Sequence, residues 1–178
     1  MPLINGKVKP MKKFNSTTLI TIHRLNDDAF KSVKGLTVSD EQVGFVEPIE
    51  QILKNLSNQV HGHVINDTRG AVGFFLIDTQ YANDYEFCSQ DSIGLRSFFI
   101  DKRYQGCGYG KETVRLLQNY LSDIYDSYDD VYLTVNCKNP AAKHCYEQGG
   151  FIDIGELYFG GDYGPQHIMK LSLKAELV

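Results

Sequence analysis

The sequence predicts one mixed domain of the α+β class (mixed α/β), built on a sheet that is partly antiparallel. Three observations carry this. Short segments rich in β-branched and aromatic residues are interleaved with stretches whose apolar residues recur at helical spacing. Two strand-like segments, Val60 to Asn66 and Ala71 to Asp78, are joined by Asp67-Thr68-Arg69-Gly70, the composition of a hairpin turn. The chain has 178 residues, 42% apolar and 22% charged, as one ordinary globular domain would.

The elements follow in order. Residues 1 to 13 carry Pro2, Gly6, Pro10 and four lysines and read as a solvated tail, leaving residues 14 to 178 for the domain. Thr17 to Arg24 reads as a strand. Asn26 or Asp27 can cap a helix running to Lys34 and stopped by Gly35. Leu36 to Glu47 is irregular. Pro48 then opens a helix with Ile49, Ile52, Leu53 and Leu56 on one face. After the hairpin, residues 79 to 92 are polar and turn-like, and Ile93 to Ile100 is a strand. Lys111 to Tyr125 is a helix with Val114, Leu117, Leu121 and Ile124 as its stripe. Val131 to Val135 is a strand and Asn139 to Gln148 a short helix. Phe151 to Phe159 and His167 to Leu173 are closing strands, joined by a glycine-rich segment from Gly160 to Pro165.

Composition excludes several classes. The longest apolar run, Ala71 to Ile77, is seven residues, against the roughly 20 that a membrane span needs. A net charge of -4 argues against a general nucleic-acid binder and suits a cationic small substrate. No apolar core follows the N-terminal lysines, so no secretory peptide is expected. Cys88, Cys107, Cys137 and Cys145 are therefore expected to be free thiols of a cytoplasmic protein. No metal site is expected. His61 and His63 share one strand face but lack a third ligand, so they read as exposed strand histidines, and His144 as solvent-facing.

The chemistry concentrates in Gln105-Gly106-Cys107-Gly108-Tyr109-Gly110-Lys111, between a strand and a helix. Three glycines let backbone amides converge without Cβ obstruction, and the helix behind adds its orphan N–H groups and positive dipole end. That is a cradle for a phosphate or pyrophosphate. Only three residues separate Gly106 from Gly110, and Glu112 follows Lys111, so a nucleotide-hydrolysing P-loop is excluded. The spacing also fails the dinucleotide-binding fingerprint. Cys107, at this helix start, is a candidate reactive thiol.

Gln105, Gly108 and Gly110 match a pyrophosphate loop of the form Arg/Gln-x-x-Gly-x-Gly/Ala, preceded by Phe98-Phe99-Ile100-Asp101. Downstream, Asn139-Pro140-Ala141-Ala142, Tyr146 and Gly150-Phe151 match a second signature. On these residues the chain resembles the GNAT superfamily of N-acetyltransferases over roughly residues 17 to 173. The resemblance implies a central, mostly antiparallel twisted sheet of six to seven strands flanked by about four helices. It also implies a splay between the fourth and fifth strands, where acetyl-CoA enters. Phe98, Phe99 and Ile100 would line the pantetheine, Gln105 to Lys111 (Gly106, Cys107, Gly108, Tyr109 and Gly110 between them) would hold the pyrophosphate, and Asn139 would contact the pantetheine. A backbone N–H near Phe99 would polarise the thioester, and Tyr146 would lie by its sulfur as the acid that protonates the leaving thiolate. Dimers are common in the superfamily, so a homodimer is an expected assembly.

Two stretches, Leu36-Thr37-Val38 with Gln42 to Val46, and Arg96 to Gly106, look like bacterial spermine/spermidine acetyltransferases. The implied acceptor is a primary amine of a polyamine. Glu41, Glu47, Asp78, Asp84 and Glu86 could supply the negative field it needs. Glu41 is the first choice of general base, with Glu47, Asp78 and Glu86 as alternatives, and Glu41, Glu47 and Asp78 are the expected substrate contacts. In the animal diamine acetyltransferases the positions of Arg96 and Ser97 are acidic, and here they are not. The competing readings are an acetyltransferase acting on a protein lysine or N-terminus, an amino sugar or an aminoglycoside, and a non-catalytic acyl-CoA sensor.

Overall fold

In the computed structural model, residues 19–174 are described; the expected tail and the start of the strand from Thr17 lie outside them. Strand β1 (Thr21–Arg24) leads to helix α1 (Asp27–Lys34), which Asn26 caps by accepting from the Ala29 N–H at 2.9 Å. A single 3-10 turn at Asp40–Gln42 interrupts the segment before α2 (Ile49–Lys54). The hairpin strands are β2 (Val60–Asp67) and β3 (Gly70–Asp78), with Gly70 at φ 142° in the turn. Then come α3 (Tyr81–Asp84), β4 (Ser92–Ile100), α4 (Tyr109–Ile124), β5 (Asp130–Asn136), α5 (Pro140–Gln148), β6 (Ile152–Tyr158) and β7 (Gln166–Ser172).

The seven strands form one sheet in the order β1-β2-β3-β4-β5-β7-β6. Every pairing is antiparallel except β4 with β5. The expected α+β class and the splay between the fourth and fifth strands both hold. One face of the sheet packs on α4 and α5 through Ile65, Phe75, Ile93, Val114, Leu117, Leu121 and Leu133. The other carries α1 and α2 on Val64, Phe74, Leu76 and Phe99.

Four differences from the sequence reading have physical reasons. The polar connection 79–92 contains α3, because Tyr81 buries itself against β4 where Gly94 has no side chain; a Cβ there would collide with the Tyr81 ring. With it the α-helices among the described residues number five. Helix α4 starts at Tyr109, two residues earlier than expected. At its other end Ile124 is 41% exposed and Tyr125 takes the buried position instead, one helical turn after Leu121.

The fourth difference is the histidine pair. His61 and His63 do share a face of β2, but it is the core face, and His63 is fully buried, not exposed. His63 Nδ1 lies 2.7 Å from the Tyr120 hydroxyl and Nε2 lies 2.9 Å from that of Tyr125. Tyr125 in turn lies 2.8 Å from His61 Nδ1, and His61 Nε2 lies 2.9 Å from the Asn58 carbonyl. A carbonyl only accepts, so in neutral rings the direction of the whole chain follows. His61 Nε2–H donates to Asn58, Tyr125 donates to His61, His63 Nε2–H donates to Tyr125, and Tyr120 donates to His63. Burial, with charge from His61, Arg24 and His23, lowers the His63 pKa to about 3. No group of three or more His, Cys, Asp or Glu side chains able to hold a metal ion occurs among the described residues. None of the described helices is long and apolar enough to cross a membrane.

Candidate active site

The site begins where the sheet fails to close. β4 and β5 pair only at Ser92–Asp130, Ile93–Val131 and Gly94–Tyr132, and then diverge. From Leu95 to Ile100 on one side and Leu133 to Asn136 on the other, the strands line a cavity of about 700 Å³. Backbone groups along that edge of β4 have no ladder partner on β5. β4 also bulges. Phe74 pairs with Phe99 but Leu76 with Arg96, so β4 holds one residue more than β3 between these points. Ser97 takes a left-handed φ of 55°, rare outside glycine and a mark of strain next to functional sites.

The glycine loop closes one end of the cavity. Gly106 and Gly108 have φ of 74° and 85°, which a side chain would strain, and an added Cβ at either would meet nothing within 4 Å. The concavity is therefore open, its N–H groups backed by the 16-residue helix α4. Two anchors hold it. Tyr109 donates its hydroxyl to Asp67 Oδ2 at 2.8 Å, and Arg69 lies over the Tyr104 ring. Burial alone would raise the Asp67 pKa, but Arg69 and Tyr109 hydrogen bonds outweigh it and lower it to about 2. Asp101, fully buried, accepts from the Thr37 and Arg103 N–H groups, each at 2.8 Å. The Arg103 bonds outweigh its burial too and hold its carboxyl below the usual range.

Helix α5 supplies Asn139 and Tyr146 to the cavity wall. Asn139 Oδ1 caps the helix by accepting from the Ala142 N–H at 3.2 Å. Tyr146 stands edge-on to Phe98 and Phe151, with centroids 5.9 and 5.6 Å away. Burial raises its pKa well above the usual tyrosine value, with a further contribution from Cys145. Its hydroxyl is thus protonated at neutral pH.

The far end of the cavity lies between two loops. Gly44, Phe45, Val46 and Glu47 form one wall, and Asp162 and Tyr163 form the other. The walls meet where an added Gly44 Cβ would sit 3.7 Å from the Tyr163 ring. Asn136 holds the second wall by donating Nδ2–H to the Tyr163 carbonyl at 3.0 Å. Three charged residues line the cavity: Glu47, Asp162 and Arg96. Arg96 Nη1 is 2.9 Å from Asp78 Oδ2, so its charge is already matched. Glu47 accepts from Asn55 Nδ2 at 3.3 Å, and neither Glu47 nor Asp162 is in an ion pair among the described residues.

Of the residues expected to make the site, the cavity gathers Phe98, Phe99, Ile100, Gln105, Gly106, Gly108, Tyr109, Gly110, Asn139, Tyr146 and Glu47. Cys107 on the loop and Lys111 in the first turn of α4 are exposed and outside the lining. Glu41 is exposed on the 3-10 turn, Asp84 is exposed at the end of α3, and Glu86 is exposed just after it. None of these three lines the cavity. Asp78 is buried behind Arg96 and serves as its counter-ion, not as a free carboxylate. His144 is exposed, as expected. Gln42 and Arg96 entered the sequence reading only as members of two stretches that resemble polyamine acetyltransferases, and among the cavity residues given no site role at all are Tyr81, Tyr85, Asn136, Asp162 and Tyr163. The glycine-rich joint 160–165, a conspicuous break between two strands, was the one signal that pointed to the last two.

The acetyltransferase (GNAT) family model matches residues 22–151, and the chain belongs to that family. It is an acetyl-CoA-dependent N-acetyltransferase. Among curated proteins it is 29% identical over 148 residues to the spermine/spermidine N(1)-acetyltransferase of Bacillus subtilis, covering 80% of this chain and 94% of that one. It is 30% identical over 90 residues to the uncharacterized N-acetyltransferase YbbJ of the same organism, covering 50% of this chain and 56% of that one. Among solved structures, a spermidine N-acetyltransferase from Vibrio cholerae in complex with CoA and spermine superposes with a TM-score of 0.64 at 20% identity. That match covers 86% of this chain and 95% of the other.

Proposed function

We propose that the chain acetylates a primary amine of a polyamine, spermidine or spermine, by direct attack of the neutral amine on the thioester of acetyl-CoA. One observation carries the acceptor. At the end of the cavity away from the glycine loop, the guanidinium is neutralised by Asp78, while Glu47 and Asp162 have no ion-pair partner among the described residues. A polycation is stabilised there, and an anionic acceptor is not. The curated relative named for spermine and spermidine supports the same reading.

The open cradle fits the pyrophosphate, since Gly106 and Gly108 present their amides without an obstructing side chain. The unpaired edge of β4 at Phe98 to Ile100 offers N–H and C=O groups to the amides of pantetheine, as an exposed strand edge does to a peptide. Asn139 keeps its Nδ2–H for the same arm while Oδ1 caps α5. The bound thioester supplies the acetyl group. A backbone N–H at the bulge near Phe99 donates to its carbonyl oxygen as negative charge develops.

A primary amine arrives protonated, with a pKa near ~10.4. In this reading Glu47, a carboxylate on the cavity wall, accepts that proton, directly or through water, in the part that Glu41 was expected to fill. The amine nitrogen bonds to the acetyl carbon, the carbon–sulfur bond breaks, Tyr146 donates its hydroxyl proton to the departing thiolate, and the second proton that the nitrogen sheds as the amide forms returns through water to the Tyr146 oxygen. The test is mass detection of acetylated product from acetyl-CoA with spermidine and spermine, beside lysine, a histone-tail peptide and kanamycin. Polyamine product that falls about 100-fold in kcat in Tyr146→Phe, with little change in KM, supports the reading. Acetylation of another acceptor alone would discard its substrate half.

A further inference from the structure

Gln42 sits at the joint between the two halves of the site. Its side-chain Oε1 accepts from Gln105 Nε2 at 2.8 Å, and Gln105, the first residue of the cradle, also donates to the Ile100 carbonyl at 3.0 Å. The backbone carbonyl of Gln42 accepts from the N–H groups of both Phe45 and Val46, at 2.8 and 2.9 Å. One residue therefore holds the cradle with its side chain and the acceptor wall with its main chain. Nearby contacts reinforce the joint: the Thr37 N–H donates to Asp101 Oδ2, and the Lys102 N–H donates to the Thr37 carbonyl at 2.9 Å.

The wall has room to respond. A second cavity, of about 260 Å³, lies on its other side, lined by Leu36, Val38, Val43, Val46, Pro48 and Ile49. Val46 lines both cavities while it also packs against the cluster of Val33, Leu36, Val38 and Ile49, so the segment bearing Glu47 is bordered by open space on part of its surface, and its polar contacts help to set its position.

We infer that Gln42 is a positioning residue that couples occupancy of the cradle to the placement of the acceptor wall. Anion binding at the loop fixes Gln105, Gln105 fixes the Gln42 amide, and Gln42 fixes Phe45 and Val46 and with them Glu47. Coupling is reciprocal, so a ligand that settles the wall also tightens the cradle. With one side-chain hydrogen bond between Gln42 and Gln105 to transmit it, beside the Thr37 contacts that hold the joint in any state, the mutual effect is expected at about fivefold, the low end of such couplings.

Hydrogen–deuterium exchange with CoA alone tests this without any assumption about the amine. In the wild type, CoA is expected to slow exchange both at residues 106–110 and at residues 43–47. In Gln42→Ala, CoA still slows exchange at 106–110, but the effect at 43–47 is lost. Gln42→Glu keeps an acceptor oxygen for Gln105 and restores it, which distinguishes a specific link from a general loosening. Undiminished CoA protection at 43–47 in Gln42→Ala, or no such protection in the wild type, would overturn the inference. The polyamine reading stands or falls separately, on the product assay.

Discussion

Tyr109 donates its hydroxyl to Asp67, so the hairpin turn between β2 and β3 fastens the first residue of α4, and with it the cradle. Asp67 is the better buried partner: its side chain is 4% exposed, against 65% for Arg69, which bonds the same carboxylate. Removing its charge should loosen the cradle without dissolving the core. Asp67→Asn is expected to raise KM for acetyl-CoA several-fold and to lower stability by about 1–3 kcal/mol, the usual cost of losing charged hydrogen bonds. Steady-state kinetics and urea unfolding check both. An unchanged KM would mean that the anchor does not set the loop.

The cradle itself separates two glycine roles. At Gly108 the backbone is left-handed, and an alanine would cost about 1–2 kcal/mol in strain although nothing crowds it. At Gly110 an added Cβ would make ordinary contacts at 3.7 Å with Ile100 and 3.9 Å with Cys145. Gly108→Ala should therefore weaken CoA binding about tenfold, and Gly110→Ala by much less. Calorimetric titration of CoA into both variants decides it, and equal losses would refute the conformational argument.

How far this was readable in advance depends on what kind of pattern each residue leaves. Gly106 and Gly108 were legible because a positive φ leaves glycine almost alone as a choice. Asn139 and Tyr146 were legible as members of an ordered signature. Arg96 and Asp78 were not legible as a pair. Their contact depends on the antiparallel register of β4 on β3, in which Arg96 sits opposite Leu76 and so diagonal to Asp78, and no periodicity announces that register. Gln42 and Gln105 are 63 positions apart, and a polar contact between two irregular segments has no sequence period. The alternation of His61 and His63 told which residues share a face, but not which face turns to the core.

That buried face gives a pH dependence. His63 has a folded pKa of about 3, against roughly 6.5 in an unfolded chain. Between those values the unfolded chain binds a proton that the folded one refuses. Stability therefore rises with pH across this window and is lost as pH falls from 6.5 toward 3, by up to about 1.4 kcal/mol per unit. Asp67 and Asp101, whose folded pKa values are depressed, add losses of the same sign below about 4. Urea midpoints measured from pH 7 to 4.5 should fall in the wild type and stay nearly flat in His63→Phe, whatever that variant's absolute stability. Parallel slopes would show that His63 is not the titrating group.

The acceptor end allows a test that depends on charge alone. Glu47 and Asp162 belong to opposite walls, and neither has a cationic partner among the described residues. Glu47→Gln and Asp162→Asn preserve shape and remove one negative charge each. Under a purely electrostatic role both should raise KM for spermidine about three- to tenfold, with less effect on a singly charged amine and with a weaker salt dependence than the wild type. If Glu47 also takes the proton, Glu47→Gln alone should lower kcat, and raising the pH should recover part of the loss because more of the amine is then neutral. Asp162→Asn should show the KM effect without the kcat effect. Identical profiles for the two variants would leave Glu47 as field and not base, with the proton leaving through water.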